Sequence, residues 1–158
     1  ALPIYVAFSI GSVLALTVDT LIIVGMYSIC WGWMPFSLEV DQTFIGAVLT
    51  AIGYSINDKV VVFDRIRENL GLYPKRETER LFNDSLNETL ARTIMTSATT
   101  LLVLLCIFFL GGDSIRSFAF AMILGVIFGT LSSIFLAAPI AFRTLGKKRV
   151  VEAAVAKA

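Results

Sequence analysis

An all-α, polytopic helical membrane bundle of about four transmembrane helices is the fold class this sequence predicts, and three observations predict it. Of its 158 residues 57% are hydrophobic and the mean hydropathy is +0.83, whereas a soluble domain would be nearer about 45–50% apolar. The apolar residues gather into four runs, and about 20 helical residues suffice to cross the roughly 30 Å hydrocarbon core of a bilayer. The charges fall almost wholly between those runs.

The first run covers residues 3–29 and closes on Trp31-Gly32-Trp33-Met34-Pro35, two indoles beside turn-forming residues, as expected where a helix meets the interfacial aromatic belt. Glu39 and Asp41 stand in a short polar connector before the second run, 43–63. The sequence Asp64–Asn69 reads as a continuation of the second helix past the membrane surface, broken by Gly71 and Pro74. Glu77–Leu90 reads as a helix lying along or entering the interface. The third run, 93–110, turns through Gly111-Gly112-Asp113 into the fourth, 118–142, leaving a tail at 143–158. The whole of 1–158 is thus expected to be a single membrane domain.

Orientation follows from lysine and arginine. The connector 64–92 carries Arg65, Arg67, Lys75, Arg76, Arg80 and Arg92, and the tail carries Arg143, Lys147, Lys148, Arg149 and Lys157, while the other side offers only Arg116. The positive-inside rule places the connector and the tail in the cytoplasm. Ala121, Gly125, Gly129, Ser133 and Ala137 recur every four residues in the fourth run, and Gly11, Ala15 and Asp19 do so in the first. With Gly53, these small residues are expected at helix–helix contacts, because close backbone approach is what holds helices together in lipid.

Other classes find little support. A net charge of +1 gives no reason to expect nucleic acid, and the absence of histidine removes a common metal ligand. Cys30 and Cys106 are isolated and lack metal-ligand spacing. No metal, organic cofactor or enzyme activity is expected: the chain lacks GxSxG, HExxH, P-loop and Rossmann patterns, and the motifs of an intramembrane aspartyl protease are missing around Asp19 and Asp58. The apolar start at Ala1, without an initiator Met or a signal peptide, reads as part of something longer.

Three ionisable residues fall within the apolar runs or at their edge: Asp19, Asp58 and Arg92. An ionisable group at membrane depth costs several kcal/mol unless paired or hydrated, which makes it a functional candidate. Asp19 lies on the small-residue stripe and so faces the interior, within reach of Thr17 or Thr20. Asp58 precedes Asp64 by six residues, roughly 9 Å of helix. Arg92 opens the third run from the same side, and its side chain would reach Asp58 if the two helices are neighbours. Burial favours a neutral carboxyl and a nearby guanidinium favours the charged form, so a mobile arginine would load and unload Asp58 with protons. The structural alternative is a static ion pair, or an arginine anchored at the headgroups. Lys59 points about 100° from Asp58 and is expected to snorkel toward headgroups or a hydrated cavity. Thr96, Ser97, Thr99 and Thr100 either line a polar path or bond back to their own helix.

At these residues the chain becomes recognisable. Residues 53–69, GYSINDKVVVFDRIREN, closely resemble the signature of the SecF family, or of the SecF half of fused SecDF proteins, within the resistance-nodulation-division superfamily. Residues 89–97, TLARTIMTS, resemble that family's next span, and 109–112 and 125–130 resemble its last two. The resemblance implies spans three to six of a six-span accessory subunit of the bacterial Sec protein translocase, located in the cytoplasmic (inner) membrane and using the proton motive force to promote preprotein export. It implies as partners the SecD half or subunit, the SecYEG translocon, secretory preproteins and membrane lipids. Protons are the implied coupling ion, with sodium as the alternative, and Asp58 matches the family's proton-transport Asp, Arg92 the Arg acting with it and Asp19 a polar position in the third family span. Another proton-coupled exporter of the superfamily, for a lipid or small molecule, and a purely structural scaffold are the other readings. Lys59 stands where the family often has Ser or Thr. Residues 4–8 resemble the end of the preceding family span without the basic connector that follows it, which would place 1–8 on a different helix.

Overall fold

In the computed structural model, residues 2–36 and 38–155 are described, with side-chain surroundings for 5–36 and 38–146. The basic side chains of the tail at Lys147, Lys148, Arg149 and Lys157 lie outside the described residues. Among the described residues all regular structure is helical: α1 Leu2–Cys30, α2 Gln42–Leu72, α3 Thr78–Leu110, α4 Asp113–Ser132, a π-helical turn Ser133–Ala137 and α5 Ala138–Val155. Four helical stretches are long and apolar enough to cross a membrane, the last running from α4 through the π-turn into α5. Leu21, Leu49, Leu102, Phe109 and Phe135 are exposed on their outer faces, a surface suited to lipid and costly in water.

Each helix boundary has a local cause. The Asp41 side chain accepts from the Phe44 amide at 2.9 Å and caps α2, satisfying one of the donors a helix start leaves free. Between α1 and α2, Gly32 adopts φ +85°, a left-handed conformation that costs glycine little. Phe36 and Leu38 then tuck back into the bundle while Trp33 stays exposed. The α2 helix ends where Gly71 and Pro74 stand, with the Tyr73 amide donating to the Asn69 carbonyl. The π-turn precedes Pro139. Proline has no amide to donate to the carbonyl four residues back, here that of Phe135, and its ring crowds that group, so the helix widens instead of closing normally.

Two expectations are corrected. The stretch Glu77–Leu90 is not a separate interfacial helix: α3 runs unbroken from Thr78 to Leu110. Residues 2–8 are not on a helix of their own, because α1 is continuous through Phe8–Ser9 and Ala7 extends the buried row of Gly11, Ala15 and Asp19.

Packing is governed by the small-residue rows. Ala121, Gly125, Gly129, Ser133 and Ala137 are all buried, and α4 has its largest interface with α2. A Cβ on Gly125 would overlap that of Ala51, and one on Gly129 would lie 3.0 Å from Ser55 Oγ. Across the bundle a Cβ on Gly11 would come within 3.0 Å of the Ala137 carbonyl. Gly53 departs from the expectation: it is exposed, with open space where a side chain would go. On α2 the close contacts are made by Ala51 and Ser55 instead.

The apolar core is divided in two. One cluster, at the Arg-rich end, joins Phe8, Val62, Phe63, Ile66, Leu81, Phe82 and Ala141 among others. The other, at the Trp31 end, joins Ile23, Tyr27, Phe36, Phe44, Leu104, Met122 and Val126 among others. Between them α1, α2, α3 and α4 contribute Asp19, Ser55, Asp58, Lys59, Ser97 and Thr130 at one level. Gly125→Leu is expected to destabilise the detergent-solubilised bundle by about 1–3 kcal/mol or more through overpacking, read as a lowered thermal midpoint. Gly53→Ala is expected to stay within about 0.5 kcal/mol of the parent.

Candidate functional site

The polar layer is built around a buried cation. Lys59 is 1% exposed and is the largest fully buried side chain among the described residues. Its Nζ lies 2.9 Å from Asp19 Oδ2 and also donates to Ser55 Oγ. The Ser55 hydroxyl donates to the same Asp19 oxygen at 2.8 Å. Asp19, 2% exposed, therefore receives two donors on Oδ2 while Oδ1 has no protein partner. The snorkelling position expected for Lys59 is overturned. The turn spacing of α2 puts Ser55 and Lys59 on the face that meets α1, and the Asp19 carboxylate offsets the cost of burying the ammonium. Thr17 and Thr20 do not serve Asp19: each bonds back to its own helix, at Val13 and Leu16.

Asp58 occupies the adjacent position and has no such partner. It is 7% exposed, and its Oδ2 accepts no hydrogen bond. The groups whose charge or hydrogen bonding reaches it are Lys59, Arg92 and Thr130. Thr130 Oγ1 lies 2.6 Å from Ser97 Oγ, which lies 3.4 Å from the Tyr54 hydroxyl. A row of hydroxyls thus leads from Asp58 between α2, α3 and α4. Thr96, Thr99 and Thr100 take no part and bond to carbonyls of their own helix. Ser97 is the member of that group that reaches across.

Arg92 stands apart. It is exposed, and among the described residues it forms no ion pair. It lines an open cleft of about 410 Å³ between Val60, Val61 and Asp64 on α2 and Glu88 and Thr89 on α3. At that end α2 and α3 are laced together: Arg65 Nε meets Glu88 at 2.5 Å, and Asn69 Nδ2 donates to Ser85 Oγ at 2.8 Å. Arg92 and Asp58 are thus placed on neighbouring helices without touching. No cluster of three or more His, Cys, Asp or Glu suited to a metal occurs among the described residues, and Cys30 and Cys106 are free thiols.

With this geometry in hand, the comparison with known proteins is decisive. The profile of the family described as protein export membrane protein SecD/SecF, C-terminal, matches residues 4–147. The chain belongs to that family. It is 54% identical over 133 residues to the protein translocase subunit SecF of Rhodothermus marinus, covering 84% of this chain and 43% of that one. The SecF subunit of Haemophilus influenzae is 46% identical, with 84% of this chain and 39% of the relative covered. The chain therefore spans less than half the length of these curated relatives. Among solved structures, SecDF in a super-membrane-facing form superposes with a TM-score of 0.82 at 42% identity, covering 94% of this chain and 19% of that one. SecDF from Thermus thermophilus gives 0.75 at 46% identity, covering 85% and 18%. The SecF-family resemblance and the all-α membrane fold are borne out. Lys59 had no visible partner in the sequence, since its counter-ion lies 40 residues away on another helix. The four-residue step from Ser55 to Lys59, set against the Gly11–Ala15–Asp19 row, was the available signal.

Substituting Asp19→Asn or Lys59→Met alone strands a buried charge and is expected to cost about 3–5 kcal/mol. The double substitution should recover much of that loss, as read by a double-mutant cycle of reversible unfolding in mixed micelles. Simply additive losses would show that the two side chains do not act as a pair.

Proposed function

We propose that this chain is the membrane part of an accessory subunit of the bacterial Sec protein translocase, in which Asp58 takes up and releases the proton that links the proton motive force to preprotein export. The observation that carries the reading is the charge balance of the polar layer. The Lys59 ammonium and the Asp19 carboxylate cancel, so the layer has one net negative charge when Asp58 is ionised and none when it is protonated. Proton binding at that residue therefore changes the net charge of a buried layer between two apolar clusters, which gives protonation leverage over helix packing. Asp19, on this reading, is the fixed counter-ion of Lys59 and does not carry the transported proton.

The two sides of Asp58 are chemically different. The hydroxyl row Tyr54–Ser97–Thr130 lies on one side and the cleft holding Arg92 on the other. Arg92 is positioned to approach Asp58 if α2 and α3 slide, and its guanidinium would favour proton release. The arginine-rich α2–α3 turn is cytoplasmic by the positive-inside rule, which orients the bundle in the cytoplasmic membrane. Membership of the family supports the SecD half or subunit as the partner of the exposed helix faces, Gly53 among them, with SecYEG and the secreted chain engaged by the longer protein.

Asp58→Asn in the full-length protein, with membrane insertion and expression matched, is expected to abolish the proton-dependent part of preprotein export in inverted vesicles. Undiminished stimulation by the proton gradient would make the layer a structural scaffold and end the coupling role of Asp58.

A further inference from the structure

We propose that Lys59 is a built-in cation that closes the polar layer to sodium and so restricts the coupling ion of this chain to protons. The inference rests on the coupling role proposed for Asp58, but it makes a binding statement that can be tested by itself.

The oxygens of the polar layer that holds the Lys59 ammonium are a set that would otherwise suit a small monovalent cation. Asp19 Oδ2 and Ser55 Oγ already face Nζ. Asp19 Oδ1 and Asp58 Oδ2 are buried, at residues that are 2% and 7% exposed, and neither has a hydrogen-bond partner. Two carboxylates and a hydroxyl are hard oxygen donors of the kind that bind hard cations. In this chain the ammonium already takes the Asp19 and Ser55 oxygens of that set, tethered to α2 by its own side chain and 1% exposed. A second cation entering the layer would face its charge at close range in a poorly screened interior. A proton carries the same charge and meets the same field, but it adds to a single Asp58 oxygen as an O–H bond and needs neither a coordination shell nor the space that the ammonium fills.

Replacing Lys59 by a short hydroxyl residue reverses the situation. Removal of the ammonium leaves Asp19 Oδ2 and Ser55 Oγ facing the space it occupied, with the new hydroxyl beside them and the Asp58 carboxylate at the adjacent position of α2. The layer then carries two negative charges and lacks its cation.

The test is ²²Na⁺ binding to the purified full-length protein at constant ionic strength, with potassium as the balancing ion. The wild type is expected to retain no sodium above background. Lys59→Ser is expected to retain at least ten-fold more, and to lose it again on adding Asp58→Asn. Should Lys59→Ser fail to fold, Lys59→Gln serves in its place, since its amide can still hydrogen bond to Asp19 and Ser55 without a charge. Stoichiometric sodium on the wild type that disappears with Asp58→Asn overturns the proposal. So does a folded Lys59 variant that binds no more sodium than the parent. Export stimulated by a proton gradient despite Asp58→Asn would sink the coupling role while leaving the exclusion of sodium by Lys59 to be judged by the binding data alone.

Discussion

A lysine ammonium in the interior of a membrane bundle must be neutralised where it stands, and the Lys59–Asp19 pair meets that demand at 2.9 Å. Unpaired, either charge would cost several kcal/mol at membrane depth. The pair thereby fixes the relative register of α1 and α2, because a slip of one residue would turn Asp19 or Lys59 away from the shared face. Ser55, hydrogen-bonded to both, belongs to the same constraint. Once this pair is set, Asp58 is left as the unpaired carboxylate of the layer, and the apolar clusters on either side follow from what remains of each helix.

Close packing is the condition for that arrangement. Apolar side chains gain little from leaving lipid for one another, so the helices hold together by fitting closely. The glycines of α4 let the backbone of α2 approach at Ala51 and Ser55, which brings the polar face of α2 under Thr130 and beside Ser97. The same fit removes space through which the buried polar side chains would otherwise reach water. Buried polar groups in such a place are costly when left unpaired: Asp19 is neutralised through Oδ2, while its Oδ1 and the Asp58 Oδ2 have no hydrogen-bond partner.

Much of this was legible in the sequence. Long apolar runs, the Trp31–Trp33 end and the Gly71–Pro74 break follow from composition and local stereochemistry. So does the burial of Ala121, Gly125, Gly129 and Ser133, because a four-residue repeat of small side chains marks a packing face. The partners across helices were not legible. Lys59 beside Asp58 reads locally as a pair of neighbours, and only the packing of α1 shows that the lysine belongs to Asp19. Gly53 reads as another small packing residue, yet it lies on the opposite face of α2 from the contacts that Ala51 and Ser55 make. The continuity of α3 through Glu77–Leu90 was hidden because the amphipathic pattern there resembles a surface helix, while Leu81 and Phe82 are in fact buried against the bundle.

The π-turn at Ser133–Ala137 bears on the geometry of the whole last span. A residue repeat of four on a helix of 3.6 residues per turn drifts by about 40° at each step. From Ala121 to Leu145 such a row would wind most of the way around an ideal helix, yet Ala121, Gly125, Gly129, Ser133, Ala137, Ala141 and Leu145 are all buried. The wider turn winds through fewer degrees per residue and takes back part of that drift, so one chemical face is carried from α4 into α5. Pro139 therefore acts as a phase corrector: it lets a single span serve two apolar clusters and the polar layer between them without presenting its small residues to lipid.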